Sequence, residues 1–388
     1  MFNEDVNVLQ QLGADITTKE IAQQPELWED AFNIYENNLE AINEFVERAK
    51  ALGGSEKTHV IFTGAGTSAY VGDTVVPYLF RCGDKAFEYE AKATTDIVSA
   101  PLDYLDPKCP VVLVSFARSG NSPESLAAVE RAGQVVDNIL YLNITCAPEG
   151  KLAVESKGRK DALTILIPRA NDKGFAMTGS YTCMELISTL IFDTASIEDK
   201  EKWVKAASEM GREVIEGEDE ILDILDCDFE RITYLGSGSF GAMTREAQLK
   251  ILELTAGKIA TNYDTSMGYR HGPKSFVNEN SIVFDFVSND PYTRMYDIDI
   301  LNEIATDDIA LHTVAIMQED DTDYDGEALV FEGYEELPEA YLVLPFVMIA
   351  QTIALNASVM VDNTPDTPSA NGTVNRVVKG VTIHEFKY

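Results

Sequence analysis

Three ionisable residues at helical spacing, Glu246, Lys250 and Glu253 in the stretch EAQLKILE, put a carboxylate, an amine and a second carboxylate on one helix face. Eighteen residues beyond Glu253, an Arg-His-Gly-Pro turn carries His271 beside Arg270. Carboxylate and imidazole are the groups that move protons near neutral pH. A solvated helix with one Glu–Lys pair uses the same spacing, so the triad alone admits a surface reading. Leu249, Ile251, Leu252 and Leu254 interleave the charges, which brings one edge of the helix close to the core. A partly buried Glu gains the proton affinity that a base needs. His59, His312 and His384 lie in or beside apolar strand runs and read as structural. No HxH, HExxH or CxxC spacing occurs, so neither a metal nor another cofactor is expected.

A second group of residues suits an anion. The strand-like run THVIFT leads into GAGTS, with Gly66, Thr67 and Ser68 at the turn. This lacks both GxGxxG and GK[ST], which disfavours a dinucleotide or a nucleoside triphosphate. Glycines that merely let a helix pack closely on a strand are an equally good reading. SFARSGNSPES is more specific: Arg118, Ser119, Asn121 and Ser122 follow a buried strand, and Pro123 sits where a first helical turn would start. Hydroxyls, a guanidinium and helix amides hold a phosphate dianion without a metal. The plainer alternative is a polar loop with an N-capping serine.

These loops need a parallel sheet behind them. Strand and helix patterns alternate through THVIFT, PVVLVSFARS and NILYLNITC, and again through RITYLGSGSFGAMTREA, SIVFDFVSND and LHTVAIMQ. Gly64 and Gly66 recur as Gly236 and Gly238, which argues for an internal duplication. Two doubly wound α/β domains follow, with apolar helices at Thr178 to Thr194 and Tyr341 to Met360 late in each half. The boundary falls in the acidic connector between Glu198 and Asp228, and the first fifty residues read as helical. In such sheets ligands sit beyond the carboxyl ends of the strands. The first half would grip an anion and the second would supply acids and bases.

Composition is that of a globular protein, with 45% apolar and 24% charged residues. A net charge of −35 repels nucleic acid and anionic membranes, so neither is an expected partner. Tyr341 to Met360 is long enough to span a membrane but contains Pro345, Gln351 and Asn356, and is read as a buried core helix. Five scattered cysteines and an N-terminal stretch without signal-peptide character lead to the expectation of a reducing cytoplasm.

The paired glycine loops, SFARSGNSPES, EAQLKILE and RHGP together resemble the sugar isomerase (SIS) domain family over nearly the whole chain. Within it they look most like the tagatose-6-phosphate ketose/aldose isomerases, also assigned as galactosamine-6-phosphate deaminases, and like the isomerase half of glucosamine-6-phosphate synthase. The resemblance implies two tandem flavodoxin-like, three-layer αβα domains. These would comprise a helical segment at 1–50, a phosphate-binding domain at 51–215, an acid–base domain at 216–374 and a tail at 375–388 that reaches the active site. It casts Ser68, Arg118, Ser119 and Ser122 as phosphate ligands, with Gly66, Thr67, Glu246 and Arg270 also on the substrate. Ala117 and Arg118 stand where the synthase pattern has Ser and Gln, and Arg118 adds a positive charge. Glu253 becomes the proton shuttle between C1 and C2, with Lys250 beside it. His271 becomes the ring-opening group, and Lys379 a group near the substrate carbonyl. In that family the histidine reaches in from a neighbouring subunit, which implies at least a homodimer.

The implied reaction is ring opening of galactosamine 6-phosphate, proton transfer from C2 to C1, and imine hydrolysis to tagatose 6-phosphate and ammonia. No glutaminase segment precedes, so the chain is not expected to make ammonia from glutamine. Simple aldose–ketose isomerisation would use the same groups with a hydroxyl at C2. A non-catalytic sugar-phosphate sensor is the third reading, for which Glu253 and His271 would be unnecessary.

Overall fold

The computed structural model describes residues 1–319, 324–376 and 380–387. Two all-parallel five-stranded sheets, each flanked by helices, make up the fold, as the strand–helix alternation predicts. The first contains β1 (Thr58–Thr63), β2 (Phe87–Ala91), β3 (Val111–Ala117), β4 (Ile139–Thr145) and β5 (Ala162–Leu166), in the order β2-β1-β3-β4-β5. The second contains β6 (Arg231–Gly236), β7 (Ala260–Thr265), β8 (Ser281–Phe286), β9 (His312–Gln318) and β10 (Glu327–Phe331). Its order, β7-β6-β8-β9-β10, is the same winding. Register repeats too: Thr63 pairs with Ser115 across β1 and β3, and Leu235 with Asp285 across β6 and β8.

Central strands are mostly apolar because helices cover both faces; β3 and β8 are buried at every residue. The edge strands β2, β5, β7 and β10 are only partly buried. The two apolar helices form core layers. Gly179–Phe192 is buried along its whole length, and Glu339–Met360 from Ala340 to Ser358. The latter is long and apolar enough to cross a membrane, but 94% of its apolar window is buried inside the protein.

The chain forms two compact units that interleave in sequence. One comprises Met1–Glu26, Lys173–Thr178 and Lys202–Thr373; the other comprises Leu27–Asp172, Gly179–Glu201 and Val374–Tyr388. The helical N-terminal segment is therefore shared out. In the unit of the second sheet, Thr17 donates to Asp366 at 2.7 Å, Gln24 donates to Gln351 at 2.7 Å, and Glu20 accepts the amides of Lys173 and Gly174. In the unit of the first sheet, the Trp28 indole donates to Thr182 at 2.9 Å.

The turn glycines have separate tasks. A Cβ on Gly64 would lie 2.3 Å from the Ser68 carbonyl oxygen, so only glycine lets the helix Thr67–Cys82 start this close to β1. Gly66 has φ +57° with open space around a would-be Cβ, so it answers to backbone conformation alone. Gly236 and Gly238 repeat the pair: a Cβ on the first would meet Phe240 at 2.9 Å, and the second has φ +56°.

Two predictions follow from this packing. Gly64→Ala should lose more stability than Gly66→Ala, because overpacking against backbone adds to any conformational cost. Roughly 2–3 kcal/mol against about 1 kcal/mol is expected, read from urea midpoints; equal losses would refute the close-approach account. The second concerns Glu185, fully buried on Gly179–Phe192, where burial pushes its carboxyl up to about 8 despite a hydrogen bond from Thr189. The folded state then holds a proton that the unfolded chain releases above its ordinary 4.5, so stability falls as pH rises from there through about 8. Glu185→Gln should flatten that decline in urea titrations at pH 5, 7 and 9.

Candidate active site

In the first sheet the chain winds to opposite sides after β1 and β3, which places a crevice between their carboxyl ends. Both candidate anion loops arise there. Thr67 and Ser68 open the helix Thr67–Cys82, both 5% exposed, while Gly66 at the N-cap is exposed. Thr94 braces this turn, its amide and hydroxyl donating to the Gly64 carbonyl at 2.8 and 3.0 Å. From β3 the chain turns through Arg118, Ser119 and Gly120 into the helix Pro123–Val135. Ser122 is the N-cap residue, but its side chain makes no capping bond, so the ordinary role of a serine at that position is not taken up. The loop is internally fixed: Ser119 Oγ accepts the Asn121 amide at 3.3 Å, and Asn121 Oδ1 accepts the Lys151 amide at 3.1 Å. These positions bring Gly66, Thr67, Ser68, Arg118, Ser119 and Ser122 to adjacent strand ends of one sheet.

Arg118 is 7% exposed and donates from Nη2 to the carbonyl of Arg376 at 2.9 Å. The Arg376 guanidinium donates to the Asp172 carbonyl and lies 3.4 Å from Asn171 Oδ1. Both arginines act on the buried Cys146, whose thiol is pushed well up by burial and by Asp172 and drawn back by the two guanidinia. Two positive charges thus bear on this end of the sheet, where the sequence reading identified one. Arg376 escaped notice because only the fold carries the tail back to β3. Lys379, the tail residue that was singled out, lies outside the described residues.

In the second sheet, Glu246, Lys250 and Glu253 share a face of the helix Gly238–Leu254, as their spacing predicts. Glu246 and Lys250 are fully buried and Glu253 is 24% exposed at its side chain. Lys250 Nζ lies 3.2 Å from Glu246 Oε1 and donates to Glu253 Oε2 at 2.7 Å. Burial works against the ammonium, but the flanking carboxylates outweigh it and hold its pKa above the usual value. A surface Glu–Lys pair is excluded by this burial. The face ends in one partly accessible carboxylate oriented by a buried cation.

His271 is exposed, at the end of the short helical turn Gly268–His271, and Gly272 at φ +125° redirects the chain after it. Arg270 donates from Nε to Glu303 at 2.6 Å, and Lys274 reaches the same carboxylate, so this turn is pinned to the helix Pro291–Asp307. His59 and His312 pair with Glu90 and Glu327 on neighbouring strands.

The crevice of the second sheet is unlike its counterpart. Asp285, next to last in β8, stands where β3 has Ser115, and Asp297 accepts Ser237 Oγ at 2.5 Å and the Ser288 amide at 3.0 Å. Ser288 also donates to Glu339. Burial first, then its neighbour Asp297, hold Asp285 well above the usual carboxylate range, and burial raises Asp297 as well. Carboxylates occupy the place where the first half presents hydroxyls and a guanidinium. The lone acidic residue in SIVFDF was the available signal. Among the described residues no cluster of His, Cys, Asp and Glu is arranged to hold a metal ion.

Comparison with known proteins agrees with this architecture. Residues 55–191 match the SIS domain. Over 382 residues the chain is 41% identical to the D-galactosamine-6-phosphate deaminase AgaS of Escherichia coli, with 96% of each protein covered. A protein of the same name from Shewanella sp. (strain ANA-3) is 37% identical over 395 residues, covering 99% of this chain and 97% of its own. The crystal structure of tagatose-6-phosphate ketose/aldose isomerase from Escherichia coli superposes with a TM-score of 0.86 at 37% identity, covering 96% of this chain and 97% of that one. The C-terminal domain of glucosamine-fructose-6-phosphate aminotransferase from Francisella tularensis shares the fold, with a TM-score of 0.72 at 19% identity over 89% and 96% of the two chains. This chain belongs to the AgaS family of SIS-domain proteins.

Proposed function

We propose that the protein converts galactosamine 6-phosphate and water to tagatose 6-phosphate and ammonia. The observation that carries this reading is the buried Glu246–Lys250–Glu253 triad, in a chain 41% identical to a named deaminase over almost its full length. The phosphate is assigned to the first-sheet crevice, held by Ser68, Arg118, Ser119 and Ser122 with the Gly66–Thr67 turn. His271 moves the ring-oxygen proton and opens the sugar. Glu253 takes the proton from C2 and returns it to C1, and Lys250 and Glu246 keep that carboxylate in place. Lys379 is assigned beside the carbonyl on resemblance. The enolamine becomes an imine at C2, water adds, and the C–N bond breaks to leave ketose and ammonia. C1 gains the hydrogen that C2 loses, so the reaction is internally balanced. The five free cysteines support a reducing cytoplasm as its setting.

The second reading, simple aldose–ketose isomerisation, draws on the name of the Escherichia coli isomerase structure. Ammonia release separates the two. Galactosamine 6-phosphate, with glucosamine 6-phosphate as control, should yield ammonia and ketose together. Interconversion of tagatose 6-phosphate with its aldose, without ammonia from the amino sugar, would replace the deaminase reading. Glu253→Gln should lower kcat by about 10²–10⁴-fold with little change in ligand affinity, whereas Arg118→Ala should chiefly raise KM. Equal loss of affinity in both variants would overturn the assigned roles.

We further propose a homodimer in which His271, exposed on its own unit, serves the partner's site. Glu253→Gln and His271→Ala chains, each inactive alone, should regain activity when dissociated together and reassembled. A mixed dimer has one intact site only if the histidine acts across subunits, so failure of complementation in a verified mixed dimer would refute the exchange.

A further inference from the structure

The C-terminal tail is held at two separate points on the unit of the first sheet. At one, Arg118 donates to the Arg376 carbonyl at 2.9 Å, and the Arg376 side chain is bonded to Asn171 and Asp172. At the other, Arg131 donates from Nη2 to the His384 carbonyl at 2.8 Å, and its guanidinium lies over the Phe386 ring at 5.7 Å. Phe386 also packs against the core that contains Ile97, Leu105, Val111 and Leu113. Arg131 is only 3% exposed, and its Nη1 lies 3.1 Å from both the Glu130 carboxylate and the Gln134 side-chain oxygen. A cation this buried is costly unless each bond is made, and one of those bonds exists only while the tail is seated.

One helix connects Arg131 with the loop of Arg118. Arg131 lies on the helix Pro123–Val135, whose first turn follows directly from Arg118–Ser122. At about 1.5 Å per residue the anchor stands roughly 12 Å along the axis from Pro123. The helix therefore fixes the spacing between the loop and the seat of Phe386.

We infer that Arg131 and Phe386 form an anchor that holds the tail across this helix, and that they are positioning residues for Arg118 and Arg376. The tail carbonyl takes one guanidinium donor of Arg118 and thereby sets the direction of the others. With the anchor gone, Arg118 loses its orienting partner and Arg376 its fixed place. This rests on the reading that the Arg118 loop holds the substrate phosphate.

Phe386→Ala removes the ring without stranding a charge; Phe386→Tyr restores the cation–π contact, and Arg131→Lys keeps the charge but loses the planar fork. Three measurements are made on the full-length protein: the rate of tail removal by carboxypeptidase, the affinity for tagatose 6-phosphate by calorimetry, and kcat and KM for galactosamine 6-phosphate. For Phe386→Ala and Arg131→Lys we expect faster digestion, about tenfold weaker binding and a matching rise in KM, with kcat within about threefold. Phe386→Tyr should return all three to wild type. A tail that is digested faster while affinity stays unchanged would overturn the positioning role, and unchanged digestion would overturn the anchor itself. Wild-type protein that binds no phosphosugar would instead reject the phosphate reading, leaving carboxypeptidase protection to decide the anchor alone.

Discussion

A helix can present its first amides at the edge of a sheet only if the chain turns within a very few residues of the strand. At Gly64 the turn is so tight that the Ser68 carbonyl lies where a side chain would begin, and at Gly236 the backbone of Phe240 lies similarly close. Both halves are built around this approach, which sets partial positive charge beside the carboxyl ends of the central strands. What each half does with that charge depends on the neighbouring strand. β3 leads into a loop of hydroxyls and a guanidinium, while Asp285 stands one residue from the end of β8 with Asp297 as its charged neighbour. In the second half Asp297 accepts the Ser288 amide, so the protein's own carboxylate takes that donor.

The charge balance gives this asymmetry its weight. A chain with a net charge of −35 opposes any anion approaching its surface, and the opposition must be reversed locally. Arg118, buried, and Arg376, exposed, bring positive charge to this end of the first sheet and draw down the buried Cys146 thiol. The second half uses its buried cation differently. Lys250 lies between two carboxylates and is committed to them, so its charge fixes a geometry instead of attracting a ligand. Replacing it with an apolar residue would leave two carboxylates facing one another with no cation between them.

Much of this could be read in the sequence where one element carries the whole signal. The central strands announced themselves through largely apolar runs, and the spacing of Glu246, Lys250 and Glu253 placed them on one helix face. The edge strands did not, because FEYEA alternates over only five residues and ATNYDT is largely polar and partly exposed. Ser122 looked like a helix cap, and only the geometry shows its hydroxyl unused for that purpose. Arg376 and Arg131 were opaque for a different reason. Their partners lie more than two hundred residues away in sequence, and no local pattern encodes such a contact.

The interleaving of the two units has a consequence for how the chain is made. The first-sheet unit has nearly all its residues once Glu201 emerges, yet its last piece, Val374–Tyr388, follows all of the second-sheet unit. At ordinary rates of synthesis that piece follows on the order of ten to forty seconds later. Until then the core around Val111 and Leu113 lacks the ring of Phe386, and Arg131 lacks the carbonyl that completes its bonds. The nascent first half must therefore wait for a segment that arrives only after the second-sheet unit has been made.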